Sequence, residues 1–416
     1  MTATTNTKGL TQFNEPFTFD SVLRILNKVP FSTPFLALLP ALTLFYHKHK
    51  NPALALPTTH TEALPLVKSL LFTQYKWVGY IWIFILIRTI NRGLNRYVRN
   101  HKEWRRDPID YTKDVIVITG GSQGIGKEIV QLLSHKKKAH IAVLDMAPPA
   151  YIPAPAGAPE ILYYKTDVSN REQVAEVGKK IREATGGKKI GVLINCAGVA
   201  SGNTILDVDL DSAARLWRIN TFANWITAKE FIPDMISRNH GHVITVSSAG
   251  AYATLPSMSE YATSKAAALA FHECLAIEFR TRYNAPRVRT TLVAPTKVRT
   301  ALGDGMEDHA DPFFTPVLEP IQVAQKVVWT LDSGLSQHLL LPGFANLLPL
   351  LRVAPDWFRR LLAVLDNGDN TVTHKSMSRA MKNGYGSNWE GADKELYDRR
   401  AKLMAAMNDS KRLSER

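Results

Sequence analysis

Three regions of this chain differ in how apolar and polar residues are spaced. In the middle region, short apolar runs rich in β-branched residues alternate with mixed stretches. Val115-Ile-Val-Ile118, His140-Ile-Ala-Val-Leu-Asp145, Ile161-Leu-Tyr-Tyr-Lys-Thr166 and Gln337-His-Leu-Leu-Leu-Pro-Gly343 read as strands. The unbroken apolarity of the first is what a parallel sheet, buried on both faces, demands. Lys127-Glu-Ile-Val-Gln-Leu-Leu-Ser134 reads as a helix between the first two strands. Strands alternating with helices predict an α/β domain with a doubly wound parallel sheet. A Pro/Ala-rich stretch, 147–159, reads as a surface loop between the second and third strands.

The flanking regions follow other patterns. Phe31 to Tyr46 is apolar but short and carries two prolines. Leu70 to Ile90 is longer and is interrupted by Lys76, which leaves a clean apolar run from Trp77 to Ile87. That run is shorter than the roughly 20 residues a full membrane span needs. Tyr75, Trp77, Tyr80 and Trp82 suit a membrane–water interface, and Lys76 can snorkel. A transmembrane helix, a hairpin within one leaflet and a shallow monotopic anchor all fit; the plainer alternative is a helix packed on the domain. On the C-terminal side, Phe344 to Leu365 is apolar, punctuated by proline, and bears Arg352, Arg359 and Arg360. It suits either an amphipathic helix at a bilayer or substrate entrance, or a helix completing the core. Ala392 to Met407 reads as a charged, solvated helix. The expected organisation is therefore an anchoring region over 1–112, a catalytic domain over 113–343 and a helical extension over 344–416.

The chemistry begins where the first strand ends. Thr119-Gly120-Gly121-Ser122-Gln123-Gly124-Ile125-Gly126 links that strand to the following helix. Strand, glycine turn and helix form the setting of a dinucleotide-binding site of Rossmann type. Glycines let the backbone approach a pyrophosphate, and the helix N-terminus offers it unpaired N–H groups. Gly120, Ser122, Gln123, Gly124, Ile125 and Gly126 are thus candidate cofactor contacts. Asp145 ends the second strand about twenty residues on, where a carboxylate accepts from ribose hydroxyls and repels a 2′-phosphate. With Gln123 rather than a basic residue before the second glycine, this favours NAD over NADP; Lys127 is the one cation nearby.

Tyr261-Ala-Thr-Ser-Lys265 places a phenol and an ammonium one helical turn apart. An unperturbed tyrosine, with a pKa of about 10, is a poor proton shuttle at neutral pH, and a nearby cation favours its phenolate.

Together these elements resemble the short-chain dehydrogenase/reductase family over roughly Asp114 to Gly343. The glycine turn matches the family's Thr-Gly-x-x-x-Gly-x-Gly, and Asp167, followed by Val168, matches its adenine-contacting position. Asn195-Cys196-Ala197-Gly198 matches Asn-Asn-Ala-Gly with Cys196 replacing the second Asn. Asn220 and Ser248 fall at the positions of the catalytic asparagine and serine. Pro295-Thr296-Lys297-Val298-Arg299-Thr300 matches the segment after the sixth strand, with Thr296 replacing glycine. The resemblance implies that Tyr261 is the general acid/base and that Lys265 holds the nicotinamide ribose and lowers the tyrosine's pKa. It further implies that Ser248, rather than Ser247, binds the substrate oxygen and that Asn220 positions a water. Asp167, Val168, Asn195, Ala197, Gly198, Tyr261, Lys265, Pro295, Val298 and Thr300 join the cofactor contacts, and a homodimer is expected.

Charge and cysteine content add context. Arg88 to Arg106 holds seven Lys/Arg against Glu103 alone, a polybasic flank that contributes to a net charge of +14. No zinc pattern, basic repeat or recognition module points to nucleic acid. Met1 to Asp20 lacks the form of a cleaved signal peptide. Cys196 and Cys274 read as reduced and buried, in keeping with a cytosol-facing domain, and no metal-ligand spacing is present. The expected activity is NAD(H)-dependent interconversion of a lipophilic alcohol and its carbonyl at a membrane. The features resemble the retinol and 17β-hydroxysteroid dehydrogenase branch of endoplasmic reticulum and lipid droplets. The alternatives are an NADPH-dependent 3-ketoacyl or 3-ketosphinganine reductase and a catalytically silent membrane scaffold.

Overall fold

The computed structural model describes residues 17–53, 55–308, 311–365 and 371–372. The charged helix expected over 392–407 and most of the N-terminal stretch read for a signal peptide lie outside these residues. The chain divides into two compact units, one spanning Pro16–Trp104 and one containing everything described from Arg105 onward.

The first unit is helical: α1 (Phe19–Lys28), α2 (Thr33–Lys50), α3 (His60–Ser69) and α4 (Lys76–Arg99). Pro34 sits in the first turn of α2, where its missing N–H costs nothing, and Ser32 caps that turn. α3 runs into a π-turn, Leu70–Gln74, and the chain bends by 108° before α4. The apolar run from Leu70 to Ile90 is therefore broken at Tyr75. Among the described residues no single helix is long and apolar enough to cross a membrane, although α1 with α2 and α3 with α4 pass that test as bent pairs. Trp82 donates to the Leu36 carbonyl at 3.1 Å and Phe31 meets Phe84 edge-on, joining α2 to α4. Arg88, Arg92, Arg96 and Arg99 recur at helical spacing on α4. Trp77, Tyr80, Phe84, Ile87 and Ile90 of that helix remain exposed.

The second unit contains a parallel sheet of seven strands: β1 (Val115–Thr119), β2 (His140–Asp145), β3 (Leu162–Lys165), β4 (Ile190–Asn195), β5 (Gly241–Val246), β6 (Val288–Pro295) and β7 (Gln337–Leu341). Their order is β3-β2-β1-β4-β5-β6-β7. Alternation along each strand divides the core between the two sheet faces. Ile116, Ile118, Ile141, Val143, Val192 and Ile194 pack on one side with α5 (Gly124–Lys137) and α10 (Pro320–Ser333). Val115, Val117, Ala142, Leu144, Ile190 and Leu193 pack on the other with α6 (Arg171–Ala184), α8 (Ala223–Arg238) and α9 (Ser259–Thr281). α7 (Leu210–Trp217) precedes α8, and α11 (Asp356–Leu365) follows the sheet.

Register brings Thr119, Leu144, Asn195 and Thr245 level at the carboxyl ends of their strands. Strand order reverses at β1, and a crevice opens between the loops that leave β1 and β4. The helix expected from Lys127 starts at Gly124, so the last two glycines of the turn are its first residues.

At the opposite end of the strands, residues 105–114 join this unit rather than the first. Ile109 enters the core, and Asp107 N–H donates to the Gly334 carbonyl at 3.0 Å. Asp107 binds His240 Nδ1 and Arg287, each at 2.8 Å, while Asp114 binds Arg238 at 2.8 Å and His240 Nε2 at 3.0 Å. These two carboxylates push the His240 imidazolium up to about 9. Burial works to raise both carboxyl groups, but hydrogen bonds from His240 and the arginines outweigh it and hold them below the usual range.

Candidate active site

The crevice is a cleft of about 480 Å³ at the carboxyl ends of the strands. Its first wall is backbone. Gly120 turns at φ +68°, and a Cβ there would meet Ala197 Cα at 2.6 Å; the β1 and β4 loops pass too closely for any side chain. A Cβ on Gly126 would lie 2.0 Å from the Gly120 carbonyl oxygen, so the first turn of α5 rests directly on the glycine turn. Thr119 Oγ1 accepts from Cys196 and Ala197 N–H at 3.1 and 3.2 Å, fixing the two loops together. Gln123, Gly124, Ile125 and Gly126 line the cleft at the N-terminus of α5, in the geometry that receives a pyrophosphate. Ser122 is fully buried behind the turn and does not line the cleft.

Asp145 sits beside this turn. Its carboxylate accepts from Ser122 N–H at 2.9 Å and from Ala147 N–H at 3.0 Å. Asp167 and Val168 lie next along the same wall, with Asp167 accepting from Ser169 N–H and Oγ. Ala197 and Gly198 line the floor, and Pro295, Val298 and Thr300 close the far side. Asn195 is buried away from the cleft and accepts from Thr227 Oγ1 at 2.9 Å, so its side chain holds β4 to α8. These cradles fit a dinucleotide. A small-residue turn meets a helix N-terminus at one end, and an acidic strand end stands beside it.

The other end of the cleft holds the proton-transfer candidates. Ser248, Tyr261 and Lys265 all line it. Ser248 caps the turn Ala249–Ala251 and accepts from Gly250 N–H at 3.1 Å. Ser247 instead donates to the Lys265 carbonyl at 2.8 Å, a structural bond that leaves Ser248 as the site hydroxyl. Lys265 Nζ donates to the Val246 carbonyl at 3.1 Å and stands 5.8 Å from the Tyr261 ring centroid. Burial pushes this lysine down to about 8. Burial also pushes the Tyr261 phenol up, opposed by the Ser248 hydrogen bond. Burial is the largest influence on the phenol, and the Lys265 ammonium faces the Val246 carbonyl.

Asn220 lies in a π-turn, Arg218–Phe222, just behind the cleft. Its carboxamide accepts from Val199 N–H and donates to Val199 O, both at 2.8 Å, and donates to Ser264 Oγ at 3.0 Å. Ser264 in turn donates to the Tyr261 carbonyl at 2.7 Å. The asparagine therefore clamps the loop after β4 to the helix of Tyr261. Sequence reasoning passed over Ser264, although its place inside Tyr261-Ala-Thr-Ser-Lys265 pointed to the inner face of α9.

Both cysteines are free. Cys196 is half-buried in the cleft floor, and burial pushes its thiol up to about 11. Cys274 is exposed, contrary to the buried position expected. Tyr261, Lys265, Ala268, His272, Leu275 and Phe279 form the buried stripe of α9, and Cys274 falls on the opposite side.

A sequence profile of the family described as short chain dehydrogenase matches residues 114–311. The Dehydrogenase RED2 of Cochliobolus heterostrophus is 38% identical over 187 residues, 45% of this chain and 69% of that protein. This chain belongs to the short-chain dehydrogenase family. It is an oxidoreductase acting on CH–OH groups, with a fold that binds NAD(P). Mouse epidermal retinol dehydrogenase 2 is 29% identical over 246 residues, covering 58% of this chain and 77% of its own. Human estradiol 17-beta-dehydrogenase 11 is 28% identical over 259 residues, with 61% and 82% covered.

The end of the cleft that holds Tyr261 is walled by apolar side chains. Leu255, Met258, Leu302, Met306, Phe344 and Leu348 surround the approach to Tyr261. Val372 packs into the same cluster as Tyr261 and Met258, and Glu307 N–H donates to the Thr371 carbonyl at 2.6 Å. None of these wall residues belongs to a motif, and only their hydrophobicity marks them.

Proposed function

We propose that this dehydrogenase interconverts a lipophilic alcohol and its carbonyl at a membrane, using NAD(H). The observation that carries the reading is the junction at Tyr261. Ser248 and Tyr261 line the cleft together, facing a wall of leucine, methionine and phenylalanine side chains. Such a wall favours an apolar substrate body whose one polar group reaches the pair. Names of two relatives, a retinol and an estradiol dehydrogenase, agree with a retinoid or steroid alcohol; a long-chain alcohol fits the same chemistry.

When bound, the nicotinamide supplies the hydride acceptor or donor. The chain supplies placement and proton transfer. Ser248 holds the substrate oxygen, and Tyr261 takes its proton in oxidation or returns it in reduction. Lys265, pushed down to about 8, remains mostly charged at neutral pH and stabilises the phenolate as it forms. Asn220 has its carboxamide engaged, so any water it holds is held by its main-chain carbonyl, which already accepts from Asn224 at 3.1 Å. That oxygen retains a second lone pair.

The Asp145 carboxylate supports NAD. It is fixed by two backbone N–H groups beside the glycine turn, and a 2′-phosphate there would face a charge that cannot swing away. Membrane attachment is supported by the exposed aromatic and aliphatic face of α4, its arginine row and the two bent helix pairs. A hairpin or monotopic anchor, with the catalytic unit in the cytosol at endoplasmic reticulum or lipid droplets, accommodates these features.

The test is turnover by the detergent-solubilised protein with NAD and with NADP, against retinol, a steroid alcohol and a long-chain alcohol. NADH formation from one of them is expected. In Asp145→Ala the preference for NAD over NADP should relax by about tenfold or more, and an unchanged ratio of catalytic efficiencies would remove Asp145 from that role. Activity confined to NADPH-dependent reduction would contradict the assignment of cofactor.

A further inference from the structure

The stretch after β7 has two unlike sides. Gly343–Arg352 winds as a 3₁₀ helix, which repeats every three residues. Phe344, Leu347, Leu350 and Val353 therefore fall in one row. Phe344 lines the cleft, whereas Leu347, Leu350 and Val353 are 59%, 59% and 84% exposed. The neighbouring rows are fastened down. Ala345 is fully buried against Ala294 and Leu340, and Arg352 donates to the Ala251 carbonyl at 2.6 Å. The exposed row is thus held in place from both sides. At about 2.0 Å per residue it carries apolar surface some 18 Å outward from the cleft wall.

α11 follows with an exposed apolar face of its own. Trp357, Leu361 and Val364 share one face at i, i+4 and i+7, and they are 70%, 47% and 62% exposed. Arg352, Arg359 and Arg360 are met by one acid, Asp356, within the whole stretch, and Arg359 pairs with it. An apolar row followed by a tryptophan-bearing helix face suits the boundary of a bilayer, where apolar groups enter and the net positive charge of the stretch favours anionic headgroups.

We infer that Gly343–Leu365 is a membrane-contact surface of the catalytic unit, distinct from the anchoring helices, through which the substrate end of the cleft opens onto lipid. The idea rests on the lipophilic-alcohol reading for its purpose but not for its geometry. A substrate dissolved in the bilayer would follow the row from Val353 to Phe344 and arrive beside Leu348, without crossing water.

The test uses the full chain reconstituted in phosphatidylcholine vesicles containing phosphatidylserine. A fluorophore is placed on Trp357→Cys in a Cys274→Ser background, which leaves half-buried Cys196 as the other thiol. Quenching by nitroxides attached to lipid acyl chains, with protection from aqueous iodide, is the expected result. Quenching by iodide alone would place the face in water and overturn the inference. Protection from both quenchers would overturn it as well, because the face would then be covered by the rest of the chain or by a second copy. As a functional arm, the triple variant Leu350→Ser, Val353→Ser, Trp357→Ser should lose about tenfold or more in kcat/KM for a vesicle-dissolved long-chain alcohol. It should keep its rate with a short, water-soluble alcohol and still sediment with vesicles; equal loss or no loss with both alcohols contradicts the lipid route. If the lipid nitroxides quench but wild-type protein oxidises no lipid-dissolved alcohol, the surface stands and the substrate reading fails.

Discussion

The two ends of the cleft are built from different materials. At the dinucleotide end the contacts are made by backbone, by glycines whose missing Cβ atoms let two loops touch, and by one carboxylate tied to two N–H groups. At the substrate end they are made by side chains from loops far apart in sequence, Leu255 and Met258 before α9, Leu302 and Met306 after β6, Phe344 and Leu348 after β7. A backbone cradle specifies residues one by one, because only glycine fits. An apolar wall specifies only volume and greasiness, and different residues meet that demand equally well. The end shaped for the dinucleotide is therefore the one least able to accept a substitution, and the apolar end beside Tyr261 is the one free to vary.

The sharpest way to break this contrast is Gly126→Ala. Its Cβ would lie 2.0 Å from the Gly120 carbonyl oxygen, and neither atom belongs to a movable side chain. The first turn of α5 must shift, and NADH affinity, measured by fluorescence titration, should fall by about 100-fold or more, a change of about 2.7 kcal/mol. The protein should still fold, which circular dichroism checks. Retained affinity would show that the turn is not the phosphate cradle.

A second variant concerns the frame on which both ends rest. His240 bridges Asp107 and Asp114 at the far end of the strands, and its pKa is raised from 6.5 to about 9. Because the folded value lies above the unfolded one, this contribution is complete below pH 6.5 and is lost as pH rises through 9. The two aspartates, held low, contribute above the ordinary carboxylate range and lose that contribution in acid. His240→Asn should cost on the order of 2 kcal/mol near pH 6. It should also flatten the decline in thermal stability between pH 6.5 and 9, with little effect on NADH affinity. A decline that persists unchanged in the variant would assign it to other groups.

The smallest effect belongs to the apolar wall. Met306→Leu conserves volume and hydrophobicity, and KM for the preferred alcohol should change by less than about fivefold, with NADH affinity untouched. A loss comparable to that of Gly126→Ala would erase the distinction between the two ends.

Legibility in the sequence follows the same division. β2 was readable to the residue, because a continuous apolar run ended at an acid with a defined task. Tyr261 and Lys265 were readable because helix geometry fixes their spacing, and the structure sets both in the cleft. The burial that raises the Tyr261 phenol is a tertiary fact that spacing does not carry. Ser122 and Asn195 are expected cofactor contacts and Asn220 an expected catalytic residue, yet all three side chains lie behind the cleft surface, bracing the loops that form it. The bend at Tyr75 is marked by polar Thr73, Gln74 and Lys76 and made possible by Gly79, where a Cβ would lie 2.2 Å from the Leu71 carbonyl oxygen; the apolar residues beyond them hid it. The exposure of Cys274 was there to be found, since the phase set by Tyr261 and Lys265 already turns it outward.

In the proposed reaction Tyr261 moves the proton, at the end of the cleft away from the glycine turn. The direct test is Tyr261→Phe, assayed for both NADH binding and turnover of the alcohol that the wild-type protein oxidises. Unchanged NADH affinity with turnover reduced by about 10²–10⁴-fold is the predicted result. Turnover within a few-fold of wild type would contradict it and would require a different acid/base in the cleft.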